Sequence, residues 1–402
     1  MTKEKGASPQ SRREKQEKQE QREKPADKPG QGQKVALALG SGGARGYAHI
    51  GVIEVLEEQG YEITAITGSS MGALIGGVYA TGNLRAYKDW VTGLDQFDLF
   101  RLLDFSLKSP GAIRGDKVFS RLEEMIGDTR IEDLSIAYTA IATDLLAHKE
   151  VWFQKGLLRD VIRASIAIPS VITPVMMQGR VLVDGGLLNP VPIIPTMAAY
   201  ADIILAVNLS GNANQHPNIP PIEEWEDEAP SVSVNLEEAE ENEEPDRAEK
   251  SQESRSESEP GKNEEWLERL KQTAARWFET ESGSSGRDAP KSEEQALAMA
   301  QAREKQKAVR EGREHSEEVH SMNLQELGLG KFDVMNLAIE TMQQALTRHK
   351  MASYPPDILI NFPKHVCKAF DYHKAPEIIQ LGRLLAEEAL EEYRNSGTTQ
   401  SL

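Results

Sequence analysis

The chain of 402 residues contains one cysteine, Cys367. A single thiol makes no intrachain disulfide and no four-cysteine zinc site, so packing must hold the fold and a reducing, cytoplasmic setting is expected. No run of about 18 apolar residues occurs, which argues against a spanning helix and leaves only peripheral contact with an inner membrane face. The opening MTKEKGASPQ leads into no apolar stretch, so no signal peptide is expected. Positive charge is also short: 46 Lys and Arg against 64 Asp and Glu give a net charge of −18, which removes the basic footprint that generic nucleic-acid binding needs. Apolar residues reach only 39%, below the usual globular share. That deficit is local, because residues 34–210 are rich in Val, Ile, Leu, Ala and Gly.

Organisation follows from where the deficit lies. Residues 1–33 are mostly Lys, Glu, Gln and Arg, and read as a disordered tail that cannot bury enough surface to offset ordering. Residues 34–210 form the structured heart, 211–320 an insert, and 321–395 the return to a packed pattern. Pro221–Pro260 holds sixteen acidic and three basic residues, so most of the excess charge sits in a stretch that cannot build a core. Within the insert, 263–280 (NEEWLERLKQTAARWFET) places Trp266, Leu267, Leu270, Ala274, Trp277 and Phe278 on one helical face. Such a helix must bury against the domain, a partner or a lipid surface.

The structured heart begins with KVALAL, Lys34–Leu39, a buried strand. A helix over His49–Gln59 follows, then a strand over Glu62–Thr67 and a glycine-rich helix over Ser70–Ala80. Strand–helix–strand–helix at this spacing predicts a right-handed parallel βαβ unit and an α/β fold. Further strands are expected at Ala137–Thr143, Arg180–Val183, Ile203–Asn208 and Asp357–Asn361. Helices are expected at Leu157–Ala167, Phe332–Arg348 and Ala375–Tyr393.

Three motifs stand at strand ends. Gly68-Ser69-Ser70-Met71-Gly72 matches G-x-S-x-G between a strand and a helix. A nucleophilic serine there stands proud of the sheet on a strained turn, and the flanking glycines allow close approach. The plain alternative is a packing site with an incidental serine. Gly40-Ser41-Gly42-Gly43-Ala44-Arg45-Gly46 is a glycine loop whose amides could cradle a phosphate or an oxyanion. A dinucleotide site needs a third glycine where Arg45 stands and an acid after the next strand, and neither is present. Asp184-Gly185-Gly186 directly follows the strand Arg180–Val183 and could offer a carboxylate at the C-terminal end of a parallel strand, or simply form a β-turn.

Taken in order, these motifs resemble the patatin-like phospholipase family, and in particular its small bacterial members related to the neuropathy target esterase catalytic domain. The resemblance covers about residues 34–210 and resumes over 321–393. It implies a three-layer patatin-like fold with a central, mostly parallel sheet between helices, interrupted by the disordered acidic insert. It implies that Ser70 is the nucleophile of a Ser–Asp dyad, Asp184 its proton acceptor, and Gly42, Gly43, Ala44 and Arg45 the oxyanion loop. Gly68, Gly72, Gly185 and Gly186 complete the motifs. Ser41 departs from the pattern of many members, which carry a glycine there. The implied reaction is hydrolysis of a carboxylic ester of an acyl lipid, of phospholipase or lysophospholipase type, with no metal or cofactor demanded. The rival reading is a catalytically silent module with the same fold that acts through a protein partner.

A Ser-His-Asp triad would need a late histidine. His365 and His373 are late enough, but both flank the last strand in polar surroundings. His49 reads as a packing or hydrogen-bonding residue. Glu123, Glu124 and Asp144 have no His/Cys cluster beside them and read as solvated or capping groups.

Overall fold

The computed structural model describes residues 28–94, 116–169, 171–211, 216, 219–222, 225 and 331–399. The chain divides into two units, Met1–Ser231 with Gln343–Leu402 and Val232–Met342. The described part of the second unit is the opening of a helix that starts at Lys331. All that follows concerns the first unit. The expected amphipathic helix at 263–280 and most of the acidic insert lie outside the described residues.

Eight strands form one sheet: β1 (Lys34–Leu39), β2 (Glu62–Ser69), β3 (Ala137–Asp144), β4 (Lys149–Phe153), β5 (Val175–Met177), β6 (Arg180–Asp184), β7 (Ile203–Gly211) and β8 (Ile358–Pro363). They are hydrogen-bonded in the order β5-β6-β3-β2-β1-β7-β8, and β4 also pairs with β3. The pairs β1–β2, β1–β7, β2–β3 and β7–β8 are parallel. The sheet is therefore mostly parallel, with β4, β5 and β6 as an antiparallel annex.

The helices are α1 (Ala48–Glu58), α2 (Met71–Ala80), α3 (Leu84–Thr92), α4 (Asp116–Ile126), α5 (Leu158–Ser165), α6 (Lys331–Ser353) and α7 (Ala375–Thr399). Alternation along the central strands explains why the sheet is covered on both faces. Leu39 and Ile66 meet α2 at Gly76, and Gly77 of the same helix lies against Leu158 and Ile162 of α5. Ala38 and Ala206 face the other way, into a cluster with Val191 and Ile193 that Met351 of α6 joins. The result is three layers, helices over a sheet over helices. No helix among the described residues is long and apolar enough to cross a membrane.

Several boundaries moved. Strands β2, β3, β6 and β7 run one to three residues past their expected C-terminal ends, and α3, α4, β4 and β5 are additional to the expected elements. Residues 28–33, expected in the tail, form turns in which the Gly30 amide donates to the Gln59 carbonyl at 2.9 Å. Ile219 and Ile222, expected in the insert, are buried, and the Ile222 amide donates to the Val366 carbonyl.

The expectation that Asp184 ends a parallel strand is corrected: β6 runs antiparallel to β3. Register shows what this does. β4 occupies one flank of β3 from Ala140 to Asp144. On the other flank β2 pairs as far as Ser69 opposite Ile141, and β6 begins the next pair with Asp184 opposite Ala142. Two strand ends therefore meet head to head on one flank of β3, one carrying Ser70 and the other Asp184.

Candidate active site

Ser70 sits between β2 and α2 with φ 55° and ψ −123°. A non-glycine residue in this region is strained and must be held by its surroundings. Three contacts hold it. Its amide donates to the Ser165 hydroxyl at 3.0 Å, and that hydroxyl donates to the Ile141 carbonyl at 2.6 Å. Its carbonyl accepts from the amides of Ala73 and Leu74, starting α2. The close turn also needs room at Gly72, where a Cβ would stand 2.0 Å from the Leu39 carbonyl oxygen.

The Ser70 hydroxyl donates to Asp184 Oδ2 at 2.5 Å. Asp184 Oδ1 accepts the Gly186 amide at 2.6 Å, capping a single 3-10 turn over Gly185–Leu187. The Asp184 amide donates to the Ala167 carbonyl just beyond α5. Both side chains are almost fully buried. Burial pushes the Asp184 carboxyl up from 3.8 to about 6, against the opposing pull of the bonds from Ser70 and Gly186. A carboxylate so placed can take up a proton near neutral pH.

The glycine loop lies alongside. The amides of Gly40, Ser41 and Ala44 donate to the carbonyls of Val207, Pro190 and Ala369. Those of Gly42 and Gly43 have no acceptor among the described residues. Arg45, buried, donates from Nε to the Gly42 carbonyl at 3.2 Å. In a trans peptide the carbonyl and the next amide point opposite ways, so this bond turns the Gly43 N–H away from Arg45. Gly43 itself has φ 59°, and a Cβ there would stand 2.3 Å from the Ala369 oxygen. Beneath the loop His49 is fully buried and contacts the Gly40 carbonyl through Nε2 at 2.8 Å. Burial pushes its pKa down to about 4, so the ring is neutral and Nε2–H is the donor.

The sequence-derived residues are thus brought together: Ser70 and Asp184 in direct contact, with the turn Gly185-Gly186 beneath them. The expected loop donors divide. Gly42 and Gly43 keep their amides, Ala44 commits its own to Ala369, and Arg45 acts on the loop from the side. Ser41, in place of a glycine, spends its amide on Pro190. Among the described residues no histidine hydrogen-bonds Ser70 or Asp184, and His365 contacts the Ile219 carbonyl instead.

Sequence reasoning missed Ser165 and Gln343. Ser165 closes α5, and its place under the elbow depends on packing between helices distant in sequence. Gln343 of α6 donates from Nε2 to the Gly186 carbonyl at 2.9 Å, bracing the turn that carries the Asp184 cap. Tyr372, just before α7, packs edge-on against Tyr47 with centroids 6.0 Å apart. Its hydroxyl is pushed up to about 12, first by burial and then by the negative charge of Asp184.

The family model for patatin-like phospholipases matches residues 37–197 of the chain. An NTE family protein of Mycobacterium tuberculosis is 38% identical over 371 residues, covering 90% of this chain and 92% of that one. The chain belongs to the NTE family of patatin-like proteins. The lysophospholipase NTE1 of Saccharomyces cerevisiae is 29% identical over 194 residues, 46% of this chain but 11% of the yeast protein. Among solved structures, VipD from Legionella pneumophila is similar at 16% identity and a TM-score of 0.37, covering 44% of this chain and 50% of that one. The family matched is one of phospholipases, so membership supports lipid ester hydrolysis in general terms.

Proposed function

We propose that this chain is a serine hydrolase that cleaves carboxylic esters of acyl lipids through a Ser70–Asp184 dyad and an acyl-serine intermediate. The observation that carries the reading is the 2.5 Å bond from the Ser70 hydroxyl to a buried carboxyl held near 6. In the first step Ser70 Oγ attacks the ester carbonyl and its proton passes to Asp184 Oδ2. The resulting oxyanion is received by the Gly42 and Gly43 amides, each such donor lowering the barrier by roughly 3–4 kcal/mol. The α2 N-terminus adds favourable potential at the same place. Collapse expels the alcohol, which takes the proton from Asp184. In the second step water attacks the acyl-Ser70 ester, Asp184 accepts its proton, and the fatty acid leaves as the proton returns to Ser70 Oγ.

The substrate class rests on the family and on the lysophospholipase name of the yeast relative. The test is a fluorophosphonate probe followed by a panel of phospholipids and lysophospholipids. Labelling of the parent and not of Ser70→Ala, with fatty-acid release from at least one lipid, is the expected result. An unlabelled parent would leave only the silent-module reading.

A further inference from the structure

The antiparallel annex does more than deliver Asp184. Ser69 and Asp184 stand opposite Ile141 and Ala142 of β3, yet β3 continues to Asp144 before turning into β4. β6 begins four residues before Asp184, at Arg180, and β5 ends beside it at Met177. At about 3.3 Å per residue, both hairpin turns stand roughly 10–13 Å beyond the level of the dyad, on the edge where the parallel strands end.

These turns carry large apolar side chains in water. Met176 is 71% exposed, Leu146 70% and Leu145 41%. They are contiguous, not scattered: Met176 is the cross-strand partner of Val181, and the Leu145 amide donates to the Val181 carbonyl at 2.9 Å. Both tips are fixed by residues with positive φ, His148 at 52° in one and Gln178 and Gly179 at 52° and 73° in the other. The exposed charge around them is cationic. Lys149 faces solvent, and the Arg180 side chain is 40% exposed. Among the described residues of the two hairpins the one acid at this level, Asp144, is buried, with its carboxylate 3.9 Å from Arg180. Glu150, one residue further along β4, is engaged by Lys350 and Asn189.

We infer that the β3–β4 and β5–β6 tips form a docking surface for an anionic lipid bilayer, with Leu145, Leu146 and Met176 entering the interface and Lys149 and Arg180 meeting the headgroups. The charge pattern selects this occupant: in a chain with a net charge of −18, the described residues of these two tips carry exposed cations and no exposed acid. Apolar tips flanked by cations gain both acyl-chain burial and headgroup attraction. The inference rests on the acyl-lipid reading of the dyad, since docking on this edge sets the opening of the site against its substrate.

Vesicle binding separates the two claims because it needs no turnover. Full-length Ser70→Ala protein is sedimented with phosphatidylcholine vesicles, with and without phosphatidylglycerol. It is compared with the same protein carrying L146D/M176D. Binding to the anionic vesicles, weakened roughly ten- to a hundredfold by the two aspartates, is the expected result. On the otherwise unaltered chain, L146D/M176D should leave hydrolysis of a soluble nitrophenyl ester unchanged and lower hydrolysis in vesicles. Equal sedimentation of the two proteins, or no sedimentation of either, overturns the inference. Absence of soluble-ester turnover in the unaltered chain would instead strike the dyad reading and leave the binding result standing.

Discussion

A buried carboxylate that serves as a base is costly to fold, and that cost is measurable. Asp184 titrates at about 6 in place of 3.8, which corresponds to roughly 3 kcal/mol of preference for the protonated form. Below about pH 4 both folded and unfolded chains hold the proton and the term is absent. Between about 4 and 6 the folded chain binds more proton than the unfolded one, so stability falls as pH rises, and above about 6 the full cost is present. Asp184→Asn keeps the shape and can still accept the Gly186 amide, but carries no charge. The stability of Asp184→Asn minus that of the unaltered chain should therefore grow by about 3 kcal/mol from about pH 3 to about pH 8, because all other titrating groups cancel in the difference. Urea unfolding of both proteins at several pH values measures it, and the same variant should lose nearly all ester turnover. A difference that is flat with pH, or that shrinks as pH rises, would refute the account of Asp184 as a carboxyl raised by burial.

In the unaltered chain kcat/KM should climb tenfold per pH unit up to about 6 and then level, as Asp184 loses its proton; a pH–rate profile that is level through this range would remove Asp184 as the base. Ser70→Ala should abolish turnover of a nitrophenyl acyl ester with near-native circular dichroism, and retained turnover would end its assignment as nucleophile. Ser165→Ala should cost about 1–3 kcal/mol in urea unfolding and lower kcat, since it strands the buried Ser70 amide and the Ile141 carbonyl; an unchanged unfolding midpoint would mean that the elbow does not depend on this bond. Gly43→Ala should lower kcat more than it raises KM, because it forces a Cβ toward the Ala369 oxygen and shifts an amide proposed to meet the oxyanion; a KM effect alone would point to substrate access instead.

The parallel core was legible because its buried strands are short runs rich in β-branched and aliphatic residues. The residues Ser70 and Asp184 were legible because each sits in a motif with a local backbone reason. What was not legible is how they meet. Arg180–Asp184 and Val175–Met177 are short and only half buried, so they lack the continuous apolar signature of a central strand, and their antiparallel direction comes from a Gln178-Gly179 turn with positive φ at both residues. Ser165 and Gln343 were hidden for a different reason. Each is a polar residue on a helix, and only tertiary packing decides whether it caps, dissolves or holds a backbone group. Ala44 was overassigned because the spacing of a glycine loop does not reveal which amides other loops have already taken.

The direction of β6 also bears on base strength. A carboxylate that accepts two or three backbone amides can fall below about 2, too acidic to take a serine proton. Asp184 ends an antiparallel strand and caps only one turn of 3-10 helix, so Gly186 is its single amide donor among the described residues, with the Ser70 hydroxyl on the other oxygen. Ser70, by contrast, begins the ten-residue helix α2, whose N-terminal potential favours negative charge at the serine. The head-to-head meeting of the two strand ends thus gives the helix N-terminus to the proposed nucleophile and its oxyanion, and keeps it away from the proposed base. Had Asp184 stood at the end of a parallel strand leading into a long helix, several free amides would have stabilised its charge, and the dyad would have needed a histidine to carry the proton.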